Sequence, residues 1–372
     1  MKKILIVNQN AGYLTIDVAN AFCREYDQVV LFCGRLRVYD RRLNENVKAV
    51  KTIPYNKASI LARIFTWGIC TLHLLFLMIT KFRGYNVLYY TNPPTSYFIS
   101  LLTKHLFAIV VFDIYPDNLK IIGIKENNFL FKVYKKINQL IFARAEKIIT
   151  LSDGMATILR NYVNEDKIKV VPLWAAYSRI EKHLKVINPI EVKYKLENKF
   201  IILYAGTMGR ANNLEIIFHA AKEFNNTDII FVFAGDGEKK QKFIEFAHSF
   251  NLTNVLFLSR QSPDDTVHLF NLANLAVIAL DPQASLTAVP SKTYNYLAFG
   301  LPILSICESQ SEINQLIEKH HIGFSVRGDD TTGLVNIIQS VYNDQDQLKK
   351  LSANCLAAAK IYDFHKANDY LF

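Results

Sequence analysis

The chain has 372 residues, 51% of them apolar and 20% charged, which is long enough for two ordinary domains with their own cores and too apolar for a disordered chain. Its formal charge of +10 sits in one half: residues 1–180 hold 25 Lys and Arg against 12 Asp and Glu, while residues 181–372 hold 18 against 21. The first half therefore calls for an anionic partner, a membrane surface or a phosphorylated acceptor; nucleic acid is disfavoured because no binding motif or basic-aromatic repeat accompanies the charge.

The opening MKKILIVNQN has only four consecutive apolar residues and reads as a first β-strand rather than a signal peptide. Further strands at 28–33, 86–90, 107–112, 147–151 and 168–171 alternate with helical segments, which predicts a doubly wound domain over residues 1–176 ending near Trp174. Within it, Ile64 to Thr80 is a seventeen-residue apolar run with Trp67, Leu72 and Phe76, His73 in its middle, and Lys57, Arg63, Lys81 and Arg83 on its flanks. It admits three placements: a helix lying in the headgroup region, a buried core helix, or a short membrane span; the basic flanks and aromatics favour the first. Asp113 closes a hydrophobic strand, where open α/β sheets place ligands, and can equally cap the Tyr115-Pro116-Asp117 turn. Ser152-Asp153-Gly154 has the look of a nucleophile turn, but capping of the next helix accounts for it better.

A polar, lysine-rich stretch over residues 177–199 reads as a linker, and a second alternating set fills residues 200–357. There the strand Phe200 to Ala205 runs into Gly206-Thr207-Met208-Gly209-Arg210 and a helical pattern from Leu214. A strand, a glycine turn and a helix form a phosphate cradle, because glycine lets the backbone approach a diphosphate closely. The theme repeats at Ala234-Gly235-Asp236-Gly237, and once more where the apolar run Leu275 to Leu280 precedes VPSKTYNYLAFGLP, in which Lys292 adds a full charge to a helix start with Ser291 as N-cap. The five cysteines (23, 33, 70, 307, 355) and the nine histidines lack metal-ligand spacing, which argues against a zinc site or a disulfide frame. A terminal helix over 358–372 is expected to rejoin the first domain, with Tyr362 and Phe364 as anchors.

The succession YAGTMGRANNLE, FAGDGE, NVLFL and VPSKTYNYLAFGLPIL resembles the nucleotide-binding half of the retaining glycosyltransferases of family 4. The likeness extends to the first half through the Asn8 to Gly12 loop, Tyr90-Thr91-Asn92-Pro93-Pro94, the Val111 to Asp117 segment and the Ile149 to Met155 segment. It is most similar to the O-antigen and capsule branch that transfers N-acetylfucosamine. The resemblance implies an α/β fold of two Rossmann-like domains facing across a cleft, the GT-B architecture. It implies donor contacts from Gly12, Gly206, Thr207, Met208, Gly209, Gly235, Asp236, Arg260, Ser291 and Asn295, and catalytic roles for Arg210 and Lys292 on the leaving diphosphate and for Asp113 on the acceptor. The implied partners are a UDP-sugar donor, a polyprenyl-diphosphate-linked saccharide acceptor and an anionic membrane surface, which would place the protein peripherally on the cytoplasmic face of a bacterial plasma membrane. The one Asp-x-Asp spacing, Asp344-Gln345-Asp346, lies in a polar stretch far from the glycine turns, so neither a cofactor nor a divalent metal is expected. The chain departs from the family where two glutamates usually flank the donor, here Thr287 and Asn295, and where an arginine and a lysine usually follow the first glycine, here Thr207 and Asn212. Two other readings stay open, a nucleotide-sugar epimerase of the same fold and a non-catalytic membrane-associated scaffold.

Overall fold

The computed structural model describes residues 1–38, 41–122, 125–177, 188–210, 212–282 and 290–372. They form two units, Met1–Ala176 with Phe364–Phe372, and Tyr177–Asp363.

In the first unit, β1 (Lys3–Val7), α1 (Tyr13–Phe22), β2 (Gln28–Cys33), β3 (Val47–Lys51), α2 (Ile60–Thr80), β4 (Asn86–Tyr90), β5 (Phe107–Val111), α3 (Phe129–Arg144), β6 (Lys147–Thr150), α4 (Asp153–Leu159) and β7 (Ile168–Val170) follow in chain order. The sheet runs β3-β2-β1-β4-β5-β6-β7, and every pairing is parallel. Strands β1, β4 and β5 are near-continuous runs of buried Val, Ile, Leu, Ala and aromatics, as a sheet covered on both faces requires. The strand absent from the sequence reading is β3: its VKAVK sequence alternates lysine with small apolar residues, and it sits at the sheet edge, where one face is wet. Ser152 Oγ accepts the Met155 N–H, 3.2 Å away, so this serine is the N-cap of α4.

The C-terminal return is shorter than the 358–372 helix expected from sequence. A long helix ends at Ile361 within the second unit, and only a 3₁₀ segment, Phe364–Tyr370, packs on the first. Tyr362 meets Tyr294 and His320 edge-on in the second unit instead of anchoring the return. The anchors are Tyr370, edge-on to Trp174, and Phe372, edge-on to Phe22. Trp174 is fully buried, and its indole N–H donates to Asp17 Oδ2 at 2.8 Å, while Arg41 lies 3.3 Å from the same oxygen.

In the second unit, α5 (Pro189–Tyr194), β8 (Phe200–Ala205), α6 (Glu215–Glu223), β9 (Ile229–Ala234), α7 (Lys240–Ser249), β10 (Val255–Leu258), α8 (Pro263–Leu272), β11 (Leu275–Ala279), α9 (Lys292–Ala298), β12 (Ile303–Ile306), α10 (Glu312–His320), β13 (Gly323–Val326), α11 (Thr331–Asn343) and α12 (Gln345–Ile361) follow. Its sheet, β10-β9-β8-β11-β12-β13, is also parallel throughout. The end of the stretch read as a linker is structured: Asn188 caps α5 and also donates to His268 O at 2.8 Å, which fastens it to this unit. A stack of Phe218, Phe233, Phe243 and Phe257 fills the core between α6, α7 and the sheet. Truncating Trp174 to Ala should cost about 3–5 kcal/mol, since it empties the largest side chain of the first core and takes the indole donor from the buried Asp17, which keeps only its Arg41 contact; a urea midpoint within error of wild type would contradict this packing.

Candidate functional site

In a doubly wound sheet the chain leaves adjacent strands in opposite directions at one point, and the carboxyl ends there form a crevice. In the second unit that point lies between β8 and β11, paired through Ile202–Leu275 and Leu203–Ala276. Gly206 directly follows β8, and α9 opens after β11, so the order of strands alone brings the Gly206 turn and Lys292 together.

Tyr204 ends β8 as a buried ring, with its hydroxyl donating to Thr207 O at 2.6 Å. The Lys292 ammonium sits over that ring, 4.0 Å from its centroid. A Cβ added at Gly206 would stand 3.2 Å from Lys292 Nζ, so the glycine leaves room for the ammonium. Burial pulls the lysine pKa down to about 7, with a smaller opposing effect from Cys307. A quadrupole rather than a carboxylate faces this cation, which keeps it available to an incoming anion.

The glycine turns interlock backbone on backbone. A Cβ on Gly235 would lie 2.0 Å from Gly206 O and one on Gly237 2.4 Å from Met208 O, while Gly206 N–H donates to Ala234 O and Met208 N–H to Asp236 O. Asp236 is held from two sides, by Lys240 at 3.0 Å and by the Arg260 N–H at 3.3 Å, and these contacts lower its pKa. Met208 is fully buried in the core, with its N–H donating to Asp236 O and its carbonyl accepting the Lys239 N–H, so it holds the turn in place. Arg210 points away into solvent, 88% exposed and paired with Glu238 at 3.1 Å, and Arg260 is exposed as well. Ser291 has helical backbone angles and makes no capping bond through its side chain, contrary to the expected N-cap: the Pro290 turn already starts the helical path there. Asn295 lies half-buried in the first turns of α9. Asn212 donates to Ala279 O at 3.1 Å, so it ties the turn to β11 and carries no charge into the site. Thr287 lies outside the described residues.

In the first unit the corresponding switch point lies between β1 and β4. Gln9, fully buried, joins the loops there: its N–H donates to Asn92 O, and its Nε2 to Ile53 O and Thr66 O. Gly12 is the residue before α1, and an added Cβ there would meet nothing within 4 Å. Beyond β5, Thr91 Oγ1 accepts the Phe112 and Asp113 N–H groups, and Asn118 donates to Asp113 Oδ1 at 3.0 Å. Desolvation raises the Asp113 pKa, against the hydrogen bond from Asn118 and the charge of Lys57. Asp113 and Gly12 thus belong to one unit, and the Gly206 turn and Lys292 to the other. Two contributors escaped the sequence reading. Tyr204 looked like an ordinary strand residue, and Trp67 was read only as part of an apolar run.

Residues 187–357, within the second unit, match the family described as Glycosyl transferases group 1. The chain is 23% identical over 290 residues to the "Probable glycosyltransferase WbjE" of Pseudomonas aeruginosa, covering 75% of this chain and 72% of that one. In structure it is similar to WaaG, a glycosyltransferase involved in lipopolysaccharide biosynthesis, with a TM-score of 0.68 at 13% identity, covering 98% and 97% of the two chains. It is similar also to Anabaena Alr3699/HepE in complex with UDP-glucose, with a TM-score of 0.70 at 14% identity, covering 99% and 98%. The fold is that of GT-B glycosyltransferases, two Rossmann-like α/β units.

Lys292 gives the ligand-free protein a pH signature. An unfolded lysine keeps its proton to about 10.4, whereas the folded one releases it near 7; the unfolded state then binds more protons between those values, and stability rises with pH across that window. Below about pH 7 the burial penalty is felt in full. Lys292→Met should therefore gain most over wild type at pH 6 and least at pH 9 in paired urea titrations. An offset that does not change with pH would contradict a buried, weakly basic Lys292.

Proposed function

We propose that the protein is a retaining, metal-independent glycosyltransferase that moves a sugar from a UDP-sugar to a lipid-linked saccharide in bacterial surface polysaccharide synthesis. The donor sugar in this reading is an N-acetylated amino-deoxy sugar. The observation that carries the proposal is the Lys292 ammonium poised over Tyr204 beside Gly206, at the switch point of a glycosyl transferases group 1 domain. Complexes of Alr3699/HepE with UDP and with UDP-glucose support a UDP-sugar as donor. WaaG's part in lipopolysaccharide biosynthesis supports a surface-polysaccharide setting.

As the sugar leaves, negative charge grows on the diphosphate, and a preorganised cation with backbone N–H groups stabilises that charge more than the ground state. Lys292 supplies the cation, and the donor pulls its proton equilibrium back toward the charged form. Gly206, Thr207, Gly209 and Gly235 supply close backbone approach, with Asp236 and Arg260 keeping their turns in register. Arg210 reaches the diphosphate by exchanging Glu238 for it, and Ser291 and Asn295 offer hydrogen bonds to phosphate and ribose. The acceptor proton passes to a departing phosphate oxygen, and Asp113 orients the acceptor hydroxyl. Gly12 gives the donor an unobstructed backbone.

The same reading places the protein peripherally on the cytoplasmic face of the plasma membrane through α2. This 21-residue helix has a mean hydropathy of 1.8, and of its residues only Thr66, Cys70, Leu74 and Met78 are buried. Leu61, Phe65, Leu72 and Phe76 are each more than 60% exposed, with Lys57 and Arg63 near the start of the helix and Lys81 and Arg83 just past its end. A one-sided apolar face with basic ends suits an interfacial helix.

UDP should raise the melting temperature, while GDP, ADP and CMP should not, and Lys292→Ala should abolish the shift and lower kcat by ~10²–10³-fold. No shift with any nucleotide would move a non-catalytic scaffold to the front. Gly12→Val should weaken UDP-sugar binding with an unchanged melting temperature, because the protein itself leaves that space open; unaltered affinity would remove Gly12 from the donor site. Phe65→Glu with Phe76→Glu should release the protein from anionic vesicles in flotation, and retained binding would exclude α2 as the anchor.

A further inference from the structure

One cluster in the first unit has no part in its core. The Tyr55 and Trp67 rings lie stacked, 5.8 Å apart at 17°, and Tyr115 meets Trp67 edge-on at 6.4 Å and 76°. All three rings are half-buried. Lys57 Nζ lies 5.5 Å from the Tyr55 centroid. Arg63 and Asp113 both act electrostatically on the Tyr55 and Tyr115 hydroxyls, and Lys57 acts on Asp113. Asn138, donating to Tyr115 O, and Tyr134, donating to Pro94 O, hold the far side of the cluster in place.

A set of half-buried aromatic rings beside one carboxylate and two cations has the chemistry to hold a phosphorylated saccharide. Sugar C–H faces pack on rings, hydroxyls donate to carboxylate, and phosphate oxygens accept from lysine and arginine. Arg63 and Trp67 stand one turn apart on α2, about 6 Å along its axis, which suits a sugar and its adjoining diphosphate. The exposed Leu61, Phe65, Leu72 and Phe76 lie on the opposite side of the helix from the buried Cys70 and Leu74, so the lipid-facing stripe and this shelf share one element.

We propose that Tyr55, Trp67 and Tyr115, with Lys57, Arg63 and Asp113, form the acceptor subsite and take a saccharide joined through a diphosphate to a lipid. The rings hold the sugar, Lys57 and Arg63 hold the diphosphate, and Asp113 accepts a hydrogen bond from a sugar hydroxyl. This assignment rests on the transferase reading above.

The chain has two tryptophans, and Trp174 is fully buried, so a ligand-induced change in indole fluorescence reports Trp67. The probe is farnesyl-diphosphate-linked N-acetylglucosamine, compared with farnesyl diphosphate, against the full chain. A saturable change is expected with the sugar-bearing probe, at least tenfold tighter than with farnesyl diphosphate. Trp67→Phe should lose the optical signal while keeping the calorimetric Kd within about threefold, as one aromatic face replaces another. Tyr55→Ala and the Lys57→Ala, Arg63→Ala pair should each weaken binding at least tenfold. The UDP-induced melting shift, measured on every variant, should stay at the wild-type value, which also shows that each variant is folded. Equal affinity for the two probes, or unchanged affinity in the Tyr55 and Lys57/Arg63 variants, overturns the subsite and leaves the transferase standing. A wild-type protein that shows no UDP shift overturns the transferase reading itself, whatever the fluorescence does.

Discussion

Parallel pairing is the constraint from which the rest follows. A parallel strand cannot return by a tight turn, so each connection must cross a face of the sheet, usually as a helix. Both faces are then buried, every strand leaves at the same edge, and the loops with chemistry collect there. Each of the two units obeys this, with its central strand as the reversal point: β1 in the first sheet and β8 in the second. The Gly206 turn and Lys292 are more than eighty residues apart in sequence, yet they become neighbours because β8 and β11 pair.

The second unit's site is rigid in backbone and polarisable in side chain. Gly235 and Gly237 press on the Gly206 and Met208 carbonyls at separations that admit no Cβ, so the backbone of these neighbouring turns is fixed before any ligand arrives. The lysine over Tyr204 is the opposite kind of component. Its charge is only weakly favoured without an anion, and an anion restores it. In the proposed donor site, binding and protonation would be coupled in this one side chain, while the frame around it need not move.

In the first unit a single helix answers to two environments. One stripe of α2 enters the core through Thr66, Cys70, Leu74 and Met78, and its edge carries Arg63 and Trp67 toward the Asp113 loop. The other stripe is apolar and exposed, which costs solubility unless something covers it. Ser59 caps this helix by accepting the Ala62 N–H, so α2 begins at Ile60, four residues before the apolar run read from sequence.

The α/β alternation, the glycine turns, Lys292 and Asp113 were legible in the sequence, because strand runs, turn glycines and a Pro-Ser-Lys helix start are local signals. Edge strand β3 was not, since a half-wet strand dilutes the apolar pattern. Nor could sequence tell that Met208 points inward, that Arg210 turns to Glu238, or that Ser291 makes no side-chain cap: each depends on which neighbour the fold supplies. The shelf of Tyr55, Trp67 and Tyr115 joins three elements up to sixty residues apart, and the seat of Lys292 on Tyr204 joins two. Sequence by itself determined the class of fold and the inventory of reactive groups, because those follow from residue type and local period; only the tertiary structure decided which groups meet, because contact across a sheet edge is set by strand order.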